Sequence, residues 1–323
     1  MVHLSGDGGM APGSSYPTLN GGSQTLNGFG IASVPMADLG DYDTTDHAHP
    51  LLICAEGFPK SAWDPTLRAQ LLLAEFGASL WREDDAIKNG PKPDDGPNAL
   101  MKEIDHLIFS ADQRQERLAE IVSQAQDLSL HWADMLMASP ASRPATWTLL
   151  SASLAIGHMV AMCLKLTFNR ARPVQVYPAL MPPVVTPPHA SFPNSHSLQS
   201  HLIAYAVSSA VPELTAAASS LAHRIAENRE IAGLHFPSDT AAGKDYALAI
   251  FQILQDPTRC PTFATLLGEV KREWGTVTQV THELHHATPQ QRSDRLLERM
   301  EQVATAVLSK LAPGNQSSVP PAS

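Results

Sequence analysis

The sequence predicts an all-α protein, on three observations. Apolar residues recur at helical spacing through most of the chain, no Val/Ile/Thr-rich alternating run marks a strand, and prolines sit where helices would begin. With 323 residues, 43% of them hydrophobic, the chain can bury a sizeable core. No internal repeat divides it, so the expectation is one multi-helix bundle over residues 46–312. Residues 1–45 are rich in Gly, Ser, Asp and Thr and read as disordered or loosely packed; the tail 313–323 reads as disordered.

Asp64-Pro65 opens the first predicted helix, which carries Leu67, Leu71, Leu72, Leu73, Phe76 and Leu80 and stops at Asn89-Gly90-Pro91. A second runs over Leu100–Phe109, and Ser110-Ala111-Asp112-Gln113 resembles a capping box opening a third, with Leu118, Ile121 and Val122. Trp132–Met137 continues that layer. From about Ala145 to Asn169 the chain is apolar nearly all round, the mark of a central buried helix. Residues 174–193 hold six prolines and are expected to be irregular. Helical patterns resume at 197–211, 213–226 and about 238–255, then over Thr262–Glu273 and Gln290–Leu311.

A formal charge of −10 and a pI near 5.7 argue against nucleic acid or an anionic membrane face as the main partner. Cys54, Cys163 and Cys260 lie far apart, with no metal-ligand spacing, and suit free thiols in a reducing compartment. The N-terminus lacks the basic and apolar regions of a signal peptide. The longest uncharged apolar run, about Thr148–Leu164, includes Ser151, Ser153, Gly157 and His158 and is short for a bilayer span. The expected location is therefore the cytoplasm, with no integral membrane segment. The Ser/Gly-rich start also suits non-classical export. Helices before residue 140 and after 260 leave room for a homo-oligomer.

Three clusters carry chemistry. Lys165 and Arg172 stand seven apart at the end of the buried helix, two turns, so both can point the same way. Taken alone, they equally suit a solvated helix end whose dipole favours cations. Asn194 or Ser195 can cap the next helix, leaving free N–H groups as an anion seat, with His196 in its first turn. Alone, His196 is an ordinary loop histidine. Arg229 offers a fork for phosphate oxygens. His235 and Asp239, four apart across Pro237, can pair so that one imidazole nitrogen is fixed and the other left free. Alone, Asp239 is a helix-start charge.

Together the clusters resemble, in order and spacing, the signature of the type-2 phosphatidic acid phosphatase and vanadium haloperoxidase superfamily. Lys165-x6-Arg172-Pro173 matches its first part, and Arg229-x5-His235-x3-Asp239 its third, with Asn228 where Ser is usual. Pro193-Asn194-Ser195-His196 stands where P-S-G-H is usual, and a side chain at the Gly position can crowd the anion or demand another backbone angle. The resemblance covers about residues 145–250 and implies an anion site at helix ends in the bundle core.

The resemblance implies that His235 attacks phosphorus, Asp239 holds its other nitrogen, and Lys165, Arg172 and Arg229 bind the phosphoryl oxygens. Asn194 and Ser195 also contact the anion, and His196 moves the proton. The preferred expectation is a phosphoric monoester hydrolase acting on a small phosphorylated substrate, with no cofactor or metal. The alternative is a haloperoxidase in which the same residues hold vanadate as cofactor, with His235 as ligand and peroxide and halide as substrates. His189, which resembles the bromoperoxidase loop histidine, favours it. A third alternative is an oxyanion-binding protein with a degenerate site.

Overall fold

The computed structural model describes residues 63–285 and scattered positions from there to 301. Segments 1–45 and 313–323, Cys54 and most of the helix expected at Gln290–Leu311 lie outside the described residues. Among those described, every regular element is helical, so the all-α expectation holds.

The first helix, α1 (Pro65–Ala78), begins as expected: Asp64 caps it by accepting from Thr66 N and Leu67 N, and Pro65 takes the first position. It does not run on to Asn89. Leu80 adopts a left-handed conformation (φ 55°), which turns the chain back so that Trp81 stacks on Phe76 at 5.8 Å. A short α2 (Asp85–Lys88) and then α3 (Pro97–Ser110) follow. The capping box expected at Ser110 does not form. Its hydroxyl bonds back to His106 O, and a single 3-10 turn leads into α4 (Arg114–Gln126). Asp127 caps α5 (Leu128–Leu136).

The centre is α6 (Pro144–Phe168), thirteen of whose residues are buried. Glu273 reaches from α11 (Pro261–His285) to accept the amides of Ala145 and Thr146 at its start. The expectation that the apolar run is too short for a bilayer is corrected. Taken together with the four-residue α7 (Pro173–Val176), the run Pro144–Val176 spans 33 residues and holds an 18-residue window of mean hydropathy 1.7, long and apolar enough to cross a membrane by length and composition. Just over half of that window, 56%, is buried against the rest of the chain. The cytoplasmic assignment and the expected lack of a membrane-length segment are withdrawn on this finding.

Three further helices surround the functional residues: α8 (Ser195–Ala210), α9 (Thr215–Ile231) and α10 (Pro237–Gln255). The first packs against α6, α9 and α10. At its crossing with α10, Gly243 brings the backbones together: a Cβ there would lie 2.7 Å from Asn194 O and 2.8 Å from Ser197 Cβ. This close approach seats the start of α8 against the first turns of α10. Of the thiols, Cys260 is buried and Cys163 half-buried, both free.

Candidate active site

Four chain segments meet at one end of the bundle. Asn169, left-handed at φ 45°, closes α6 by donating its N–H to Lys165 O and releases the chain into Arg170 and Arg172. The proline-rich segment then returns, and Ser191 N–H bonds Arg170 O. Lys165, only 2% exposed, donates to Ala190 O (2.8 Å) and Ser191 O (2.7 Å). The cations at the end of α6 thus point inwards rather than into solvent.

Gly233 (φ 73°) ends α9 after Arg229, its N–H bonding Glu230 O while Leu234 N–H bonds Arg229 O. Pro237 then opens α10, with Asp239 in its first turn. The Asp239 carboxylate does both jobs its spacing allows. Oδ2 accepts the Phe236 N–H (3.0 Å), which caps the helix, and faces His235 Nδ1 at 3.3 Å. Arg170 Nη1 (2.7 Å) and the Ser191 hydroxyl also donate to it. Burial pushes its pKa above the ordinary carboxylate value, and the Arg170 charge with the Ser191 and Phe236 donors works against that shift by favouring the ionised form.

On the other side of the ring, Arg172 Nη1 lies 2.9 Å from His235 Nε2. A guanidinium can only donate, so Nε2 carries the lone pair and Nδ1 the proton. Burial and the neighbouring Arg172 and Lys165 charges hold the His235 pKa well below its ordinary value, which keeps the ring neutral. Arg172 also donates to Leu234 O, His189 O and His189 Nδ1, the last at 3.0 Å. Burial and the same two charges push His189 down to about 4.

Arg229 is placed differently. Its Nη2 donates to Ile121 O and Gln124 Oε1, whereas Nε and Nη1 are buried without a partner. The Ser195 hydroxyl is likewise buried and unpartnered. Burial lowers the Arg229 pKa to about 10, so it stays charged at neutral pH. Polar atoms stranded in this way are costly unless a ligand satisfies them.

Asn194 caps α8, accepting from His196 N and Ser197 N, and its amide nitrogen donates to Thr240 Oγ1. Its side chain therefore serves the helix start rather than pointing a free amide at an anion. Ser195, the first helical residue, is not among the left-handed positions, so replacing Gly demands no unusual backbone angle. Half-buried His196 donates Nε2–H to Gln124 O (3.1 Å). Burial and the Arg229 charge push it down to about 3.

All the residues singled out from sequence thus lie on these four segments, and the structure adds three more. Arg170, within the first motif, links Asp95, Glu103, Ser238 and Asp239 and lies over the Phe236 ring at 4.1 Å. The tight Arg-x-Arg-Pro run was its available signal. Ser191 and Gln124 sit in no recognisable pattern.

Residues 146–255 match the family described as the PAP2 superfamily. Among solved structures, the chain is similar to one titled as the first transmembrane PAP2-type phosphatidylglycerolphosphate phosphatase from Bacillus subtilis. The two are 18% identical with a TM-score of 0.38, over 59% of this chain and 94% of that one. No curated protein matches.

Proposed function

The chain carries the PAP2 superfamily match over residues 146–255, phosphatase-like in character, and from that premise we propose a phosphoric monoester hydrolase working through a phosphohistidine at His235. The observation that carries this reading is the stranded, buried donor set of Arg229 Nε, Arg229 Nη1 and Ser195 Oγ. Donors left without partners in an end of the bundle rich in Lys and Arg suit an oxyanion.

In this reading the phosphoryl group enters between Arg172 and His235, and Arg172 exchanges its contact with Nε2 for the phosphoryl oxygens. Lys165 and Arg229 hold the remaining negative charge. The Nε2 lone pair attacks phosphorus, the ester P–O bond breaks, and His196, protonated once the bound phosphoryl charge offsets that of Arg229, gives the departing oxygen a proton from its imidazolium. A water then loses its proton to His196 and attacks the same phosphorus. The P–N bond breaks, and phosphate leaves with His235 neutral again. Asp239 stabilises the His235 ring while it carries the phosphoryl group. The substrate class is a small phosphorylated compound.

One observation favours a second reading. His189 Nδ1, 3.0 Å from Arg172 Nη2, stands at the cationic end of the site. The stranded donors fit vanadate as well as phosphate. In a vanadium haloperoxidase, Lys165, Arg172, Arg229 and Ser195 would hold vanadate with His235 as ligand, and the bound group would supply peroxide activation toward halide. A side-by-side assay separates the two. Vanadate inhibits phosphate release from a chromogenic phosphomonoester in the first case, and switches on bromide oxidation by peroxide in the second. Neither activity, with vanadate still raising the melting temperature, would mean a binding protein.

A further inference from the structure

Gln124 lies on α4, outside the matched segment 146–255, yet it touches two of that segment's functional residues. It is only 2% exposed. Its Oε1 accepts from Arg229 Nη2 and from Asn228 Nδ2, each at 3.1 Å, and its backbone carbonyl accepts the His196 Nε2–H, also at 3.1 Å. Arg117 and Glu120, seven and four positions earlier on the same helix face, complete the seam on Asn228. Arg117 Nη1 donates to its Oδ1 and its Nδ2 donates to Glu120 Oε2. Asn228 is the residue that departs from the family's usual Ser, and its longer amide is what spans to α4.

The geometry has two consequences. With Nη2 tied to Gln124 and Ile121 O, the Arg229 fork is fixed so that Nε and Nη1 are the atoms left for a ligand. The bond from His196 Nε2 to the Gln124 carbonyl sets which imidazole nitrogen carries the proton. A carboxylate in place of the Gln124 amide would accept the same bonds but neutralise Arg229. The neutral amide holds the cation and leaves its charge for the anion.

We infer that Gln124 is a positioning residue of the oxyanion site, aiming Arg229 and fixing the His196 tautomer from a helix outside the PAP2-matched segment. This rests on the phosphatase reading above.

The test compares the wild-type full chain with Gln124→Glu and Gln124→Met. It follows the inhibition constant of inorganic phosphate, the pH profile of kcat/KM, and the melting temperature. Gln124→Glu retains the acceptor and is expected to weaken phosphate inhibition about tenfold or more, because a like charge now faces the anion. It also moves the basic limb of the pH profile upward, since a carboxylate favours the protonated imidazole that the departing oxygen needs. Gln124→Met keeps the volume, loses the acceptor, and raises KM and the phosphate inhibition constant together. If one variant fails to fold, the other decides. Wild-type inhibition constants and pH profiles in the folded variants would overturn the inference, as would activity losses that only track the unfolded fraction. A wild-type protein that neither hydrolyses esters nor binds phosphate would instead bring down the functional reading, and this inference with it.

Discussion

Arg170 and Asp239 form a buried ion pair, Nη1 to Oδ1 at 2.7 Å, with side chains 1% and 0% exposed. The other oxygen of the same carboxylate faces His235. Breaking a buried pair from one side leaves an uncompensated charge, which costs about 3–5 kcal/mol. Arg170→Ala is therefore expected to lose stability of that order in urea unfolding. Because Asp239 also orients His235, kcat should fall more than KM rises. An unfolding midpoint and kcat equal to wild type would show that the pair does neither.

Arg229 presents the opposite case. Two of its nitrogens have no partner, so its burial costs more than it returns until an anion arrives. Arg229→Met should change the melting temperature little in phosphate-free buffer, yet abolish the rise that phosphate gives the wild type. At a phosphate concentration of one hundred times Kd that stabilisation is about 2.7 kcal/mol. Thermal melts with and without phosphate check both halves, and a phosphate-induced rise preserved in the variant would place the anion elsewhere.

The histidines set the acid limit of stability. His196 is held at about 3, His189 at about 4, and His235 well below its ordinary value, whereas the unfolded chain titrates near 6.5. Between about 6.5 and 4 the unfolded state binds protons that the folded state refuses, so stability falls with falling pH over that window. Bound phosphate makes these imidazoles easier to protonate and should lessen the fall. Melting temperatures at pH 7 and 4.5, with and without phosphate, test this; a flat profile would contradict it.

Gly243 holds α8 against α10 where Asn194 caps the helix that carries His196. Gly243→Ala forces that seam apart, for an overpacking cost of about 1–3 kcal/mol. It should also lower kcat, because Asn194 N–H bonds Asp239 O across the same seam. Unaltered unfolding and turnover would mean that the seam absorbs the extra methyl.

Legibility in the sequence followed the source of each constraint. Lys165, Arg172, Arg229, His235 and Asp239 keep helical or short-loop spacings, so their relation survives in one dimension. Arg170 stood beside them, but its partners Asp95 and Glu103 lie on segments that only tertiary packing brings near. Gln124 was invisible for the same reason: a single amide on an amphipathic helix announces nothing until α9 lies against it. The helix boundaries that failed have local causes. Leu80 leaves the helical region to bury Trp81, and Ser110 spends its hydroxyl on His106 O instead of capping α4. The helix expected from about Ala145 to Asn169 forms as α6; what was underestimated was its fitness to cross a membrane by length and composition, because Ser151, Ser153 and His158 read as interruptions of the apolar run.

The central claim is that His235 Nε2 takes the phosphoryl group. Wild-type protein and His235→Ala, mixed with a labelled phosphomonoester and quenched in alkali within one turnover, test it directly. The account predicts an alkali-stable, acid-labile phosphoryl label on His235 in the wild type and neither label nor turnover in the variant. Label on another residue, substantial turnover by His235→Ala, or halide oxidation that appears only with vanadate would contradict it.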